Sequence, residues 1–261
     1  MSDFPDHFKE YSRDGDAWAM SQPIELYDVL KGDSSKAQRS IEQANITETF
    51  GNRVLDFDKN WLELAAEKLQ ISPKLEDYVL IPISIMPTEL PNKNGVGFPL
   101  KELSSWNDEY GMPAYKTWRG KPTYHEHDNT VIARAKGIIF DSAIRPLKKF
   151  EGDLWHIVNL CSFDRRKDAG LVQKILSGEM ASYSMGALVR DYECSICART
   201  VKGGGCDHVQ RGKPNFSLHN GRNLAYFRAL EPVGFETSSV ASPAYHTATN
   251  PNYIKMWKDA S

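Results

Sequence analysis

The chain has 261 residues, 41% of them hydrophobic and 25% charged, the makeup of a globular protein long enough to bury a core. Its net charge of -2 excludes a global electrostatic footprint for nucleic acid or an acidic membrane surface. No apolar run approaches the ~20 residues that span a bilayer, and the acidic start Met1-Ser-Asp-Phe-Pro-Asp lacks a secretory core, so a soluble intracellular protein is expected.

Residues 1–52 read as an appendage. Within it, 21–32 open on Ser21, carry Pro23 early and close on Gly32, which predicts a short helix; the polar stretch 32–40 reads as a linker. A second helix is expected over 59–69, capped by Asp58, with Trp61, Leu64, Ala65 and Leu69 along one face. The main β structure begins at Tyr78-Val-Leu-Ile-Pro-Ile-Ser-Ile-Met86, which Pro82 and Pro87 push toward a sheet edge or an irregular end. Loop chemistry follows over 91–97, then one or two helical turns over 98–106. Residues 130–140 read as a long strand with Gly137 at a bulge, and 154–160 as another.

Ser162 or Asp164 is placed to cap an amphipathic helix over 165–176, with Ala169, Val172, Ile175 and Leu176 at helical spacing and Gly178 as its stop. Strand-like runs carry Ser184, span 224–230 and span 234–240. The tail 249–261 is aromatic and basic. Separated strands around one central helix predict an α+β fold: a β-rich, barrel-like domain flanked by helices.

Three stretches have chemistry-bearing residues. The first holds His125 and His127 just before the strand expected at 130; two histidines at i, i+2 share one face of an extended segment, which would suit a metal pair, though taken alone a solvated polar loop is the better explanation. The second is Ser184-Met185-Gly186, after the helix. A serine hydroxyl needs a base to take its proton and a third group to orient that base. The third is Glu236-Thr-Ser-Ser-Val240, where an acid in a β-prone run either faces solvent or has a partner.

His127-Asp128 before a Gly137 strand, Ser184-Met185-Gly186 after a helix, and Glu236-Thr-Ser-Ser-Val240 leading to Pro243-Ala244 together resemble the prohead maturation proteases of tailed bacteriophages. The resemblance covers roughly residues 78–244. It implies a fold related to herpesvirus capsid-maturation proteases, a protease domain over 53–248, and cleavage of scaffold and capsid proteins inside the immature head in the host cytoplasm. It also implies restraint before assembly, self-trimming of the appendage (with Ser40-Ile-Glu42 and Ile46-Thr-Glu48 as sites after glutamate), and self-association as an option. On this resemblance Ser184 is the nucleophile, His127 the general base and Glu236 the orienting acid. Ser182 competes with Ser184, His125 competes with His127, and His156, His246 or Asp141 competes with Glu236. Asp128 neighbours His127 and points to the opposite face of a strand. Backbone N–H groups near Ser184 would form an oxyanion hole, Gly186 would admit the substrate closely, and Arg190 is either an aid or a solvated strand-end residue.

Residues 193–212 form an insertion of different character. Cys194-Ser-Ile-Cys197 followed by Cys206-Asp-His208 has the ligand types and number of a structural Cys₃His zinc site, with Gly203-Gly-Gly205 reversing the chain between the pairs. The Cys-x-His spacing is short, so His219 is a rival to His208. Cys161 reads as a small buried apolar residue. Two other functions fit parts of this pattern: a non-enzymatic zinc-binding capsid or nucleic-acid protein, and a metal hydrolase built on His125, His127 and an acid.

Overall fold

The computed structural model describes residues 24–25, 61–146, 154–209, 217–219 and 223–249. The architecture is α+β, as expected: one curled, half-barrel sheet with three α-helices among the described residues. The strands are β1 (Ile24–Glu25), β2 (Tyr78–Pro87), β3 (Val96–Gly97), β4 (Trp106–Asn107), β5 (Met112–Pro113), β6 (Pro122–His125), β7 (Gly137–Pro146), β8 (Trp155–Asp164), β9 (Tyr183–Cys194), β10 (Ser217–His219), β11 (Asn223–Ala225) and β12 (Phe227–Ser239). The helices are α1 (Trp61–Leu69), α2 (Leu100–Ser104) and α3 (Ala169–Ser177). The main sheet runs β1-β2-β8-β7-β6-β12-β3, with β9 also on β12; β4-β5 and β10-β11 form separate ribbons.

Strand alternation sends side chains to two cores. On the concave face Val79, Ile81, Ile83, Ile139, Ile157, Phe163 and Ala229 pack with Trp118 and the inner side of α3. On the outer face Tyr78, Leu80, Ile138, Phe140, Val158 and Leu160 pack beneath α1. Both faces of β2 are buried, so its run is apolar throughout instead of alternating. Thr249 forms isolated bridges with Ser84 on β2 and with Ser182, the residue before β9, linking the two sides of the curl. A residue counted with the tail by sequence is thus part of the sheet; residues 250–261, and the glutamate sites at 42 and 48, lie outside the described residues.

Several local expectations change. Ile24 and Glu25, expected in a helix, pair antiparallel with Leu80 and Val79. In α1 the buried residues are Leu62, Ala66 and Leu69, whereas Leu64 is 60% exposed. The helix therefore sits rotated from the predicted face, because its partner is the Ile138–Phe140 side of the sheet. The strand expected over 130–140 is a 3₁₀ turn at Ile132–Arg134 followed by β7. Asp168 caps α3, accepting from the Leu171 N–H at 3.0 Å, and Gly178 ends it. Asp164 instead accepts from the Ser72 and Arg166 N–H groups, and Ser162 lies within β8. The runs at 224–230 and 234–240 are mostly one long strand, β12, with an irregularity between Gly234 and Glu236.

Gly137 marks a close approach of β7 to β8. A Cβ there would lie 2.1 Å from the Ser162 carbonyl oxygen, a backbone atom that cannot swing aside. Gly137→Ala is expected to cost about 3 kcal/mol, read as a lower urea midpoint with unchanged slope.

Candidate functional site

β6 and β12 run parallel, Thr123 to His125 beside Thr237 to Ser239, so the end of β6 lies over the last residues of β12. There the chain reverses. The Asp128 N–H donates to the His125 carbonyl at 3.0 Å, and both central residues, Glu126 (φ +51°) and His127 (φ +53°), are left-handed. That is type I′ turn geometry, which costs about 1–2 kcal/mol for each residue that is not glycine. Neighbouring contacts hold it. The Glu126 N–H donates to Ser239 O at 2.8 Å, Glu126 Oε1 accepts from the Ala241 N–H at 2.7 Å, and Asp128 pairs with Arg134.

The turn aims the His127 ring at β12, where its Nδ1 lies 2.8 Å from Glu236 Oε1. A carboxylate only accepts, so Nδ1 carries the hydrogen and Nε2 is left with its lone pair. Glu236 is fully buried, and the His127 side chain is 42% exposed. The hydrogen bond to Glu236 pushes the His127 pKa above its ordinary 6.5; burial opposes this and the charges of Glu236 and Glu126 reinforce it.

β9 supplies the hydroxyl. Ser184 stands directly across from Ser238, and Gly186 across from Glu236, so all four side-chain positions share one face of the β9–β12 pair. A Cβ on Gly186 would come within 2.9 Å of Glu236 Oε1 and 3.1 Å of its Cγ. The glycine of Ser184-Met185-Gly186 thus makes room for the acid. Ser184, 5% exposed, and His127 line the same cleft of about 430 Å³, between β9 and the β2–β3 side of the barrel. The Tyr183 N–H turns away from β12 to the Ala248 carbonyl, and the Val240 N–H reaches Ser182 O. By two-residue alternation the Met185 N–H, next to Ser184, also points away from β12, and Met185 lines the cleft.

The rival residues lie elsewhere. His125 Nδ1 is 2.9 Å from Ser239 Oγ. Buried His156 pairs with Ser84 at 2.8 Å, and burial, with Arg145 nearby, lowers its pKa to about 4. Asp141 is paired with Lys116 at 2.8 Å, Asp128 with Arg134, and exposed Arg190 with Glu231 at 2.8 Å. Ser182 is bridged to Thr249, and His246 is exposed in the loop after β12. Burial pushes the Cys161 thiol up, in keeping with an inert core residue.

At the far end of β9 the chain makes a knuckle. The Ala198 N–H donates to Cys194 O at 3.0 Å, and the Ile196 N–H approaches Cys194 Sγ at 3.4 Å. Left-handed Gly204 and Gly205 return the chain, with the Gly205 N–H on Thr200 O at 2.9 Å. One ligand atom each from Cys194, Cys197, Cys206 and His208 then lies within 4.8 Å of the others, a group that could hold a metal ion. Ligand atoms in a closed tetrahedral shell are about 3.5–4 Å apart, so this donor set fits with little movement. Burial works against the Cys206 thiolate, but the Val209 N–H, the Cys194 thiol, the His208 N–H and the Cys197 thiol outweigh it and bring the pKa down to about 6. The backbone of His219 is on β10, and His208 is the histidine of the converged group. His125 and His127 belong to no such group among the described residues.

No helix among the described residues is long and apolar enough to cross a membrane. No protein-family model, curated protein or solved structure matches the chain.

Because its folded pKa is raised, the His127–Glu236 interaction contributes to stability fully below pH 6.5 and loses that contribution as pH rises through the folded value. In an NMR titration His127 is expected to titrate above 6.5, and Glu236→Gln to bring it down, since the charge that favours the imidazolium is gone.

Proposed function

We propose that the chain is a serine endopeptidase in which Ser184 is the nucleophile, His127 the general base and Glu236 the group that orients the base. The observation that carries this is the 2.8 Å contact between His127 Nδ1 and a fully buried carboxylate, in a ring that shares its cleft with Ser184. Nε2, the nitrogen left free, takes the hydroxyl proton as Ser184 Oγ attacks a scissile carbonyl, then delivers it to the leaving amine. Glu236 holds the tautomer and stabilises the imidazolium. The Met185 N–H, turned away from β12 beside Ser184, is a backbone donor for the developing oxyanion. Water then enters by the same base and releases the acyl group.

The order of the motifs supports a more specific role: cleavage of scaffold and capsid proteins, and of the chain's own appendage, during head maturation of a tailed bacteriophage in the host cytoplasm. Incubated with its scaffold protein, the wild-type chain is expected to cut, with Ser184→Ala slower by at least about 10³-fold. The acid limb of kcat/KM should lie above pH 6.5, because His127 must be neutral to act. Equal cleavage by both proteins would remove Ser184 from this role.

The Cys194, Cys197, Cys206 and His208 group suits zinc, soft thiolates with one imidazole. Four protein ligands would close the shell, so a bound ion would tie the end of β9 to the loop that follows it and would take no part in the cleavage. The same group favours a second reading, a non-enzymatic zinc-binding assembly protein. Metal analysis is expected to find one zinc per chain, lost with a lower melting temperature in Cys206→Ser. Activity that survives in a folded, zinc-free variant separates the peptidase from the assembly protein, whose only function would go with the metal.

A further inference from the structure

Glu236 has two oxygens, and only one of them meets His127. Oε1 meets His127, while Oε2 accepts a hydrogen bond from Ser238 Oγ, two residues along β12 on the same face of the strand. Both Glu236 and Ser238 are completely inaccessible to water. A carboxylate in that position needs protein donors on both oxygens, because no solvent reaches it. Ser238 is also the residue directly across from Ser184, so it touches the acid on one side and faces the nucleophile's strand on the other.

The backbone of Ser238 has little freedom. Thr237, on the opposite face, accepts from Asn159 Nδ2 at 3.0 Å, and Asn159 Oδ1 accepts from Ser142 Oγ at 2.7 Å. On the parallel side β12 is registered against Tyr124 of β6, whose continuation is the His127 turn. Ser238 is therefore fixed from two directions, and its hydroxyl has a set acceptor.

We infer that Ser238 is a positioning residue: by donating to Glu236 Oε2 it fixes the plane of the carboxylate and draws off part of its charge, which sets how strongly Oε1 holds the His127 ring. This rests on the peptidase reading for its consequence in catalysis, and on the hydrogen-bond chain alone for its effect on the imidazole. Without the Ser238 donor the carboxylate can rotate about its last bond, and all of its charge falls on His127. A base held too firmly as imidazolium passes its proton on less readily, so turnover falls although the cleft is unchanged.

The other charged and titratable groups around His127 are Glu126 and Asp128 of its own turn, Arg134 paired with Asp128, His125 and Tyr124 of β6, and Lys93, Tyr192 and Tyr245 lining the cleft. None of them contacts Ser238 through its side chain among the hydrogen bonds of the site, so a substitution there reaches His127 through Glu236.

The test is an NMR titration of the His127 ring in Ser184→Ala protein, with and without Ser238→Ala; Ser238→Cys, similar in size and a poor donor, replaces it if the alanine variant does not fold. The His127 titration point is expected to move up when the hydroxyl is lost. In protein with Ser184 intact, kcat is expected to fall roughly ten- to a hundred-fold with little change in KM. A titration point that stays or drops in a folded variant, or cleavage at the parental rate, overturns the assignment. Absence of any cleavage by the parental chain would instead count against the peptidase reading alone, because the titration is read in protein that cannot cleave.

Discussion

A carboxylate with no access to water organises one end of this molecule. Glu236 is buried in the β12 strand, and burying a charge is costly unless its lone pairs are taken. The fold meets that cost from three strands at once. β6 delivers His127 by way of a strained turn, β12 provides the Ser238 hydroxyl, and β9 yields space by placing Gly186 opposite. The left-handed pair Glu126 and His127 is tolerated because the Glu126 backbone and side chain are both tied to the chain at Ser239 and Ala241. Strain of this kind persists where the surrounding structure over-determines it.

The curl of the sheet explains why the cleft lies where it does. β2 and β9 approach from opposite ends of the strand order and are joined by Thr249 at one point, beside Ser182. Past that point the strands are not bridged, and the opening between them is lined by Ser184, His127 and apolar side chains such as Ile85 and Phe98. The Cys₃His group that could hold a metal ion is at the other end of β9 from Ser184, where Cys194 faces Phe227 at the start of β12. One strand pair thus carries the serine and acid at one end and the Cys₃His group at the other.

The sequence was sufficient for the parts governed by short range. The apolar run of β2, the stop of α3 at Gly178, and the Cys194, Cys197, Cys206 and His208 spacing are all local patterns, and each appears in the fold as read, whereas the buried face of α3 is Leu171, Val172 and Ile175, with Ala169 and Leu176 exposed. So does the α+β class. Readings that needed a partner's position came out differently. Helical spacing puts Leu64 on the buried face of α1, but Leu62 and Ala66 take it, because the sheet beneath sets the rotation of the helix. Residues 130–136 looked like the start of a strand on β propensity, and the turn that aims His127 bends the chain away before β7 can begin.

Residue identity alone supplied the cast: a serine two before a glycine, a pair of histidines at i, i+2, an acid in a β-prone run, and a set of thiols with metal-ligand spacing. It could not choose His127 over His125, since both precede the same segment and differ only in which way the backbone turns. Tertiary structure makes that choice through two positive φ angles that turn one ring onto Glu236 and leave the other on Ser239. It also gives Gly186 its reason, because the Glu236 oxygen that a side chain would strike comes from a strand 50 residues further along. Contacts between groups that far apart depend on strand register, and register is a property of the assembled sheet.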